Sequence, residues 1–136
     1  MLLLPFLLIA LAALRFVRNG PAYAAKCAKP AEEALFVWYR AILTLLECAD
    51  VPIDERDTPV TLSQKAASMG RAGAHFGIFA VALSEKQYAC AKAKPEIYRE
   101  AALAYRETRK KAGLKARLRF ARLRLTRGMR RTDRLP

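Results

Sequence analysis

Acidic side chains are scarce in this sequence: 12 Asp and Glu stand against 25 Lys and Arg, a formal net charge of +13. There is one histidine, so any Ser-His-Asp or Cys-His constellation has to use His75. Cys27, Cys48 and Cys90 form no CxxC pair, which excludes a closed disulfide framework and a four-ligand zinc site of standard spacing. Neither GxxxxGKS/T nor GxGxxG occurs, which removes phosphate cradling by a glycine-rich loop. Internal repeats and low-complexity tracts are also missing. Apolar residues are not lacking. At 54% of the chain, with 9% aromatics, they exclude a disordered polypeptide. A length of 136 residues suits one domain with a modest core.

The charge is polarised. Residues 1–98 carry 11 Lys and Arg against 9 Asp and Glu, a net of +2, whereas residues 99–136 carry 14 against 3, a net of +11. Met1 to Leu14, in contrast, contains no charged or hydrogen-bonding side chain. A helix apolar on every face belongs in lipid or deep in a large core, and this chain is too small for the second. Residues 1–18 are therefore expected as a transmembrane anchor. Run through Val17, the helix would rise about 26 Å, slightly short of the ~30 Å hydrocarbon layer. Arg15 and Arg18 flank the membrane, where snorkelling makes up part of the difference. Ala22-Tyr-Ala24 has the form of a signal-peptidase site, the rival reading. The basic residues Arg15, Arg18, Lys26 and Lys29 follow the apolar run rather than precede it, which favours an uncleaved anchor with a cytoplasmic flank. The expected location is the cell inner membrane, single-pass, with the C-terminal part cytoplasmic.

Behind the anchor the periodicity is helical. Residues 19–30, with the breaker Asn19-Gly-Pro21, are expected as a linker. Leu35, Tyr39, Ile42, Leu46 and Ala49, widened by Trp38 and Leu45, predict an amphipathic helix over about 31–49, with Arg40, Thr44 and Glu47 on its other side. A polar connector follows, and Thr58-Pro59 reads as N-cap and first residue of a helix over about 59–70, with Thr61 and Gln64 as an alternative capping box. A third helix near 73–91 places Phe76, Phe79, Leu83 and Cys90 on one face. A fourth begins at Lys94-Pro95-Glu96, with Ile97, Tyr98, Ala101, Ala102 and Tyr105 inside. Gly113 interrupts it, and beyond lies a basic helix whose apolar stripe is Leu114, Leu118, Ala121 and Leu125. The fold class is all-α: a transmembrane helix (1–18), a linker (19–30), a bundle of about four helices (31–112) and a long basic C-terminal helix (113–136).

Trp38-Tyr-Arg-Ala-Ile-Leu-Thr-Leu-Leu-Glu47, then Asp57-Thr-Pro59 opening a helix, then Tyr88-Ala89 and a last helix from Lys94 to Arg109, resembles a bacterial domain of unknown function. That domain forms the C-terminal cytoplasmic part of membrane-bound transglutaminase-like proteins. The resemblance covers about residues 31–110, is specific in order and spacing, and is weak in identity. Ala89 stands where the family favours glycine. The resemblance implies a non-catalytic cytoplasmic appendage, and a transglutaminase-like membrane protein or a MoxR-type AAA+ ATPase as protein partner.

The residues themselves offer little catalysis. His75 with Asp50, Asp54 or Asp57 as orienter and Cys48 or Cys90 as nucleophile would make a small hydrolase, but no spacing fixes these groups together. The acids at 54, 55 and 57 read as solvating a Pro-bounded loop, and Trp38, Tyr39, Tyr88, Tyr98 and Tyr105 as core aromatics. No catalytic residue, cofactor site or metal site is expected. The basic tail is the functional signal: Lys110, Lys111, Lys115, Arg117, Arg119, Arg122, Arg124 and Arg127 would contact an anionic surface. The expected function is a membrane-anchored accessory or interaction domain touching anionic lipid. The alternative is a basic nucleic-acid-binding protein, which Phe120 as the tail's lone aromatic serves poorly.

Overall fold

A computed structural model of the chain describes residues 3–29, 32–89 and 92–126. Within them every regular element is a helix: α1 (Leu3–Arg18), α2 (Pro21–Cys27), α3 (Glu33–Cys48), α4 (Pro59–Ser68), α5 (Ala74–Ala89), α6 (Pro95–Lys111) and α7 (Gly113–Thr126). The all-α expectation holds. Among the described residues there is one helix more than the sequence suggested. The stretch 19–30 is not a plain linker, because Pro21 starts α2, which packs on α3. As the sequence indicates, Gly113, with φ +85°, separates α6 from the basic helix α7, whose expected continuation over 127–136 lies outside the described residues.

The helix α3 is the hub and contacts α2, α6 and α7. Its Leu35, Ile42, Leu45 and Leu46 are completely buried. They meet Leu62 and Ala66 of α4, Phe76, Phe79 and Leu83 of α5, and Ala101 and Ala104 of α6 in one apolar cluster. Large side chains on α3 and α5 thus face small ones on α6. Each fully buried Leu or Phe contributes roughly 1.5–3 kcal/mol. Trp38 lies 5.4 Å from Tyr105 and Tyr105 lies 6.1 Å from Phe120, a tilted aromatic row joining α3, α6 and α7. Tyr88 departs from the expected core aromatics: it stands 75% exposed at the end of α5.

Two helices end alike. The amide of Val51 donates to the Leu46 carbonyl and that of Asp50 to Glu47, while Asp50 takes a left-handed φ of 62°. At the end of α4, Arg71 donates to Ala66 and Gly70 to Ala67, with Gly70 at φ +68°. These are paired hydrogen bonds of the Schellman type, which need one left-handed residue. The start of α4 is capped as the sequence indicates: the Thr58 hydroxyl accepts from the Thr61 amide at 3.2 Å.

The fold sets a paired test. Nothing lies within 4 Å of a Cβ added at Gly70 or at Gly77 in α5, so neither substitution clashes. Gly70→Ala is predicted to lower stability by about 1–2 kcal/mol because of its left-handed backbone. Gly77→Ala, in a helix interior, should raise it by roughly 0.5–1 kcal/mol. Denaturant midpoints would report both, and equal effects would contradict the helix end described.

Candidate functional site

The last carbonyls of a helix have no intrahelical donor and form the negative end of its dipole. Here arginines supply what is missing, and three of the five come from α7. Arg117 Nε donates to the Arg109 carbonyl at 2.8 Å and its Nη2 to Lys110 at 3.1 Å, at the end of α6. Arg71 Nη1 takes the next two carbonyls, Lys111 at 3.2 Å and Ala112 at 3.1 Å. Arg119 Nη1 donates to Cys48 at the end of α3 (3.2 Å) and to Asp50 Oδ1 (2.9 Å), holding the left-handed Asp50. Arg124 Nη2 donates to the Phe16 carbonyl of α1 at 2.8 Å, with the guanidinium carbon 3.7 Å from the Phe16 ring centroid.

The α1–α7 contact is reciprocal. Asn19 Nδ2 donates to the Arg124 carbonyl at 2.7 Å and Arg15 Nη2 to Thr126 at 3.3 Å. Two carbonyl ends meet and each is capped by side chains of the other. A Cβ at Gly20 would run into the Arg124 guanidinium, which would have to shift from its place on Phe16. Burial pulls the Arg124 guanidinium below its usual value, and the neighbouring Arg109 charge acts the same way.

The expected anionic-surface residues therefore separate into groups. Arg117, Arg119 and Arg124 are held by backbone carbonyls. Lys115 and Arg122 are exposed on the outer face of α7, which Arg119 shares. Lys110 and Lys111 are exposed at the end of α6, and Arg127 lies outside the described residues. The apolar stripe of α7 is not what faces the body. Ala116 and Phe120 are buried, whereas Leu114, Leu118 and Leu125 are 72%, 63% and 40% exposed beside the cations. Phe120, buried at 3% exposure, offers no ring to a nucleic-acid base. Sequence reasoning missed Arg71 as a cap and gave Asn19 only a breaking role. Neither has a local signal, since both act across about 40 to 105 residues.

The N-terminal helix differs from all the others. None of its residues is buried, and nine large apolar side chains from Leu3 to Val17 are at least half exposed. No single helix among the described residues is long and apolar enough to cross a membrane; α1 and α2 together are, but they are bent by 62°.

An open depression of about 800 Å³ lies where the start of α5 meets the end of α6 and the first turns of α7, with Arg106, Arg109, Lys110, Lys111 and Arg117 along it. His75 and Glu107 also line it. Glu107 Oε2 accepts from the His75 amide at 3.3 Å, placing a carboxylate at the positive end of α5. A Cβ at Gly73 would collide with that carboxylate. His75 Nδ1 lies 2.7 Å from Glu100 Oε2, and this hydrogen bond raises the imidazole above its usual value. Among the described residues, none of the candidate triad partners lines the depression. Asp50 pairs with Arg119, Asp57 with Lys65 at 2.6 Å and with the Asp54 amide at 2.9 Å, and Cys48 is buried, its thiol pushed up by burial. Cys90 lies outside the described residues. No Ser, Thr or Cys lines the depression. Among the described residues no three His, Cys, Asp or Glu side chains group closely enough for a metal ion. A smaller recess of about 280 Å³ beside Asp57 and Tyr88 includes Tyr39, whose phenol is pushed up to about 12 by burial and then by the Asp57 charge. It stays protonated and cannot serve as a base near neutrality.

No protein family, no curated protein and no solved structure matches the chain. The resemblance to the transglutaminase-associated domain rests on its motifs alone.

The His75–Glu100 pair predicts a pH dependence. A folded-state value raised above the ordinary ~6.5 stabilises the fold fully below that pH, and the contribution is lost as pH rises through the folded value. Wild-type stability should therefore fall relative to Glu100→Gln as pH rises from below the ordinary histidine value to above the raised one, while the urea midpoint of Glu100→Gln should change less over the same interval. Parallel profiles for the two proteins would show that the pair is not formed.

Proposed function

We propose that this chain is a non-catalytic, membrane-anchored helical module, with α1 embedded in the bilayer and α7 lying against anionic headgroups. One observation carries the reading: α1 presents large apolar side chains on every face and buries none of them in the protein. Water is a poor solvent for such a shaft, and eight Leu, Ile and Phe from Leu3 to Leu14 together favour insertion by roughly 2–5 kcal/mol. Sixteen residues rise about 24 Å, so the anchor is short, and Arg15 and Arg18 mark where it leaves the hydrocarbon.

The position of α7 agrees with this. It is tied to the end of α1 where those arginines lie. Its outer face alternates Leu114, Leu118 and Leu125 with Lys115, Arg119 and Arg122, the composition of a helix that rests in a headgroup layer. Lys115 and Arg122, which make no ion pair among the described residues, each contribute about 1 kcal/mol near an anionic leaflet, whereas Arg119 is already paired with Asp50. Lys and Arg behind the anchor favour a cytoplasmic body. By the resemblance in helix order, a transglutaminase-like membrane protein or its ATPase is the protein such a module would meet.

Carbonate extraction of membranes from expressing cells tests the anchor. Wild-type protein should stay in the pellet. Leu8→Arg replaces a favourable residue with one costing about 2.5–3.5 kcal/mol at mid-bilayer, cancelling most of the gain, and should shift the chain to the supernatant. Release of the wild type would overturn the reading.

A further inference from the structure

The end of α6 carries more positive charge than its own architecture uses. Its last carbonyls, from Arg109 to Ala112, are already satisfied by Arg117 and Arg71. That leaves Arg106, Arg109, Lys110 and Lys111 around the depression, and none of them makes an ion pair among the described residues. The acid among them, Glu107, is engaged at the His75 amide and offsets at most one charge. Cations that repel one another across a concave surface are held there at a cost, and an anion seated between them reverses the sign of that cost.

We propose that this depression is a binding site for clustered phosphoryl groups, two or more on one ligand. The volume, about 800 Å³, exceeds what one inorganic phosphate fills and suits a small polyphosphorylated molecule or headgroup. Arg117 is fixed by two carbonyls, so it meets the ligand in a set geometry, while the two lysines act as mobile point charges on flexible stems. The recognition is electrostatic and multidentate. It offers no broad stacking platform, because no Phe, Tyr or Trp lines the depression. The site does not depend on the membrane reading, since its cations belong to α6 and the first turns of α7.

Calorimetric titration of the full chain in non-ionic detergent with inorganic tripolyphosphate tests it. Saturable one-to-one binding is expected, weakened about tenfold or more by Lys110→Gln with Lys111→Gln, as loss of two charge-assisted contacts requires. Lys26→Gln with Lys29→Gln removes the same net charge elsewhere and should change affinity by less than about twofold. All four positions are exposed, and circular dichroism would verify that each variant is folded. A second arm uses zwitterionic vesicles doped with a bis-phosphate lipid. Binding there but not to tripolyphosphate, with the same Lys110/Lys111 dependence, assigns the phosphates to a headgroup and keeps the site. Equal losses from both double variants, or no saturation with either probe, would overturn it, as would tighter binding to single-stranded nucleic acid with the same dependence.

Discussion

An α-helix that ends against another part of the protein must have its last carbonyls satisfied, and in this protein that requirement is met largely by arginine. Three guanidinium groups from one 14-residue helix reach the ends of α6, α3 and α1, and Arg71 completes the end of α6. Charged donors on neutral acceptors are about twice as strong as neutral pairs, and each also faces the negative end of a dipole. The helix α7 buries only Ala116 and Phe120, so apolar packing alone holds it weakly. Its place in the fold is set by where its arginines find carbonyls.

This divides a basic segment that looks uniform in sequence. A net of +11 over residues 99–136 exceeds any need for solubility, which suggests an external anion for all of it. Part of the charge is internal. Arg117, Arg119 and Arg124 already have backbone partners, and Arg124 is partly desolvated against Phe16. Among the other described cations, Lys115 and Arg122 lie on the outer face of α7 and Arg106, Arg109, Lys110 and Lys111 at the depression by the end of α6, surfaces suited to a planar and a compact anion respectively.

Much of the body was legible in the residues. Phe76, Phe79 and Leu83 recur at helical spacing and are buried as that spacing implies, and Thr58-Pro59 opens α4 with the expected cap. Local pattern is enough where one face is clearly more apolar than the other. In α7 it is not enough. The leucine stripe is the more hydrophobic, yet Ala116 and Phe120 turn inward because that orientation lets the flanking arginines reach three helix ends. Seven residues of α2 are too few to signal a helix by periodicity and exist through packing on α3. The His75–Glu100 contact is equally silent in sequence, since it joins α5 to α6 across 25 positions.

Trp38 is the chain's one tryptophan, and it sits against Tyr105, which in turn touches Phe120 of α7. Indole emission is sensitive to the polarity and quenching groups around the ring. The aromatic row therefore gives the molecule a native optical gauge of whether its C-terminal clamp is seated, readable without attaching any dye.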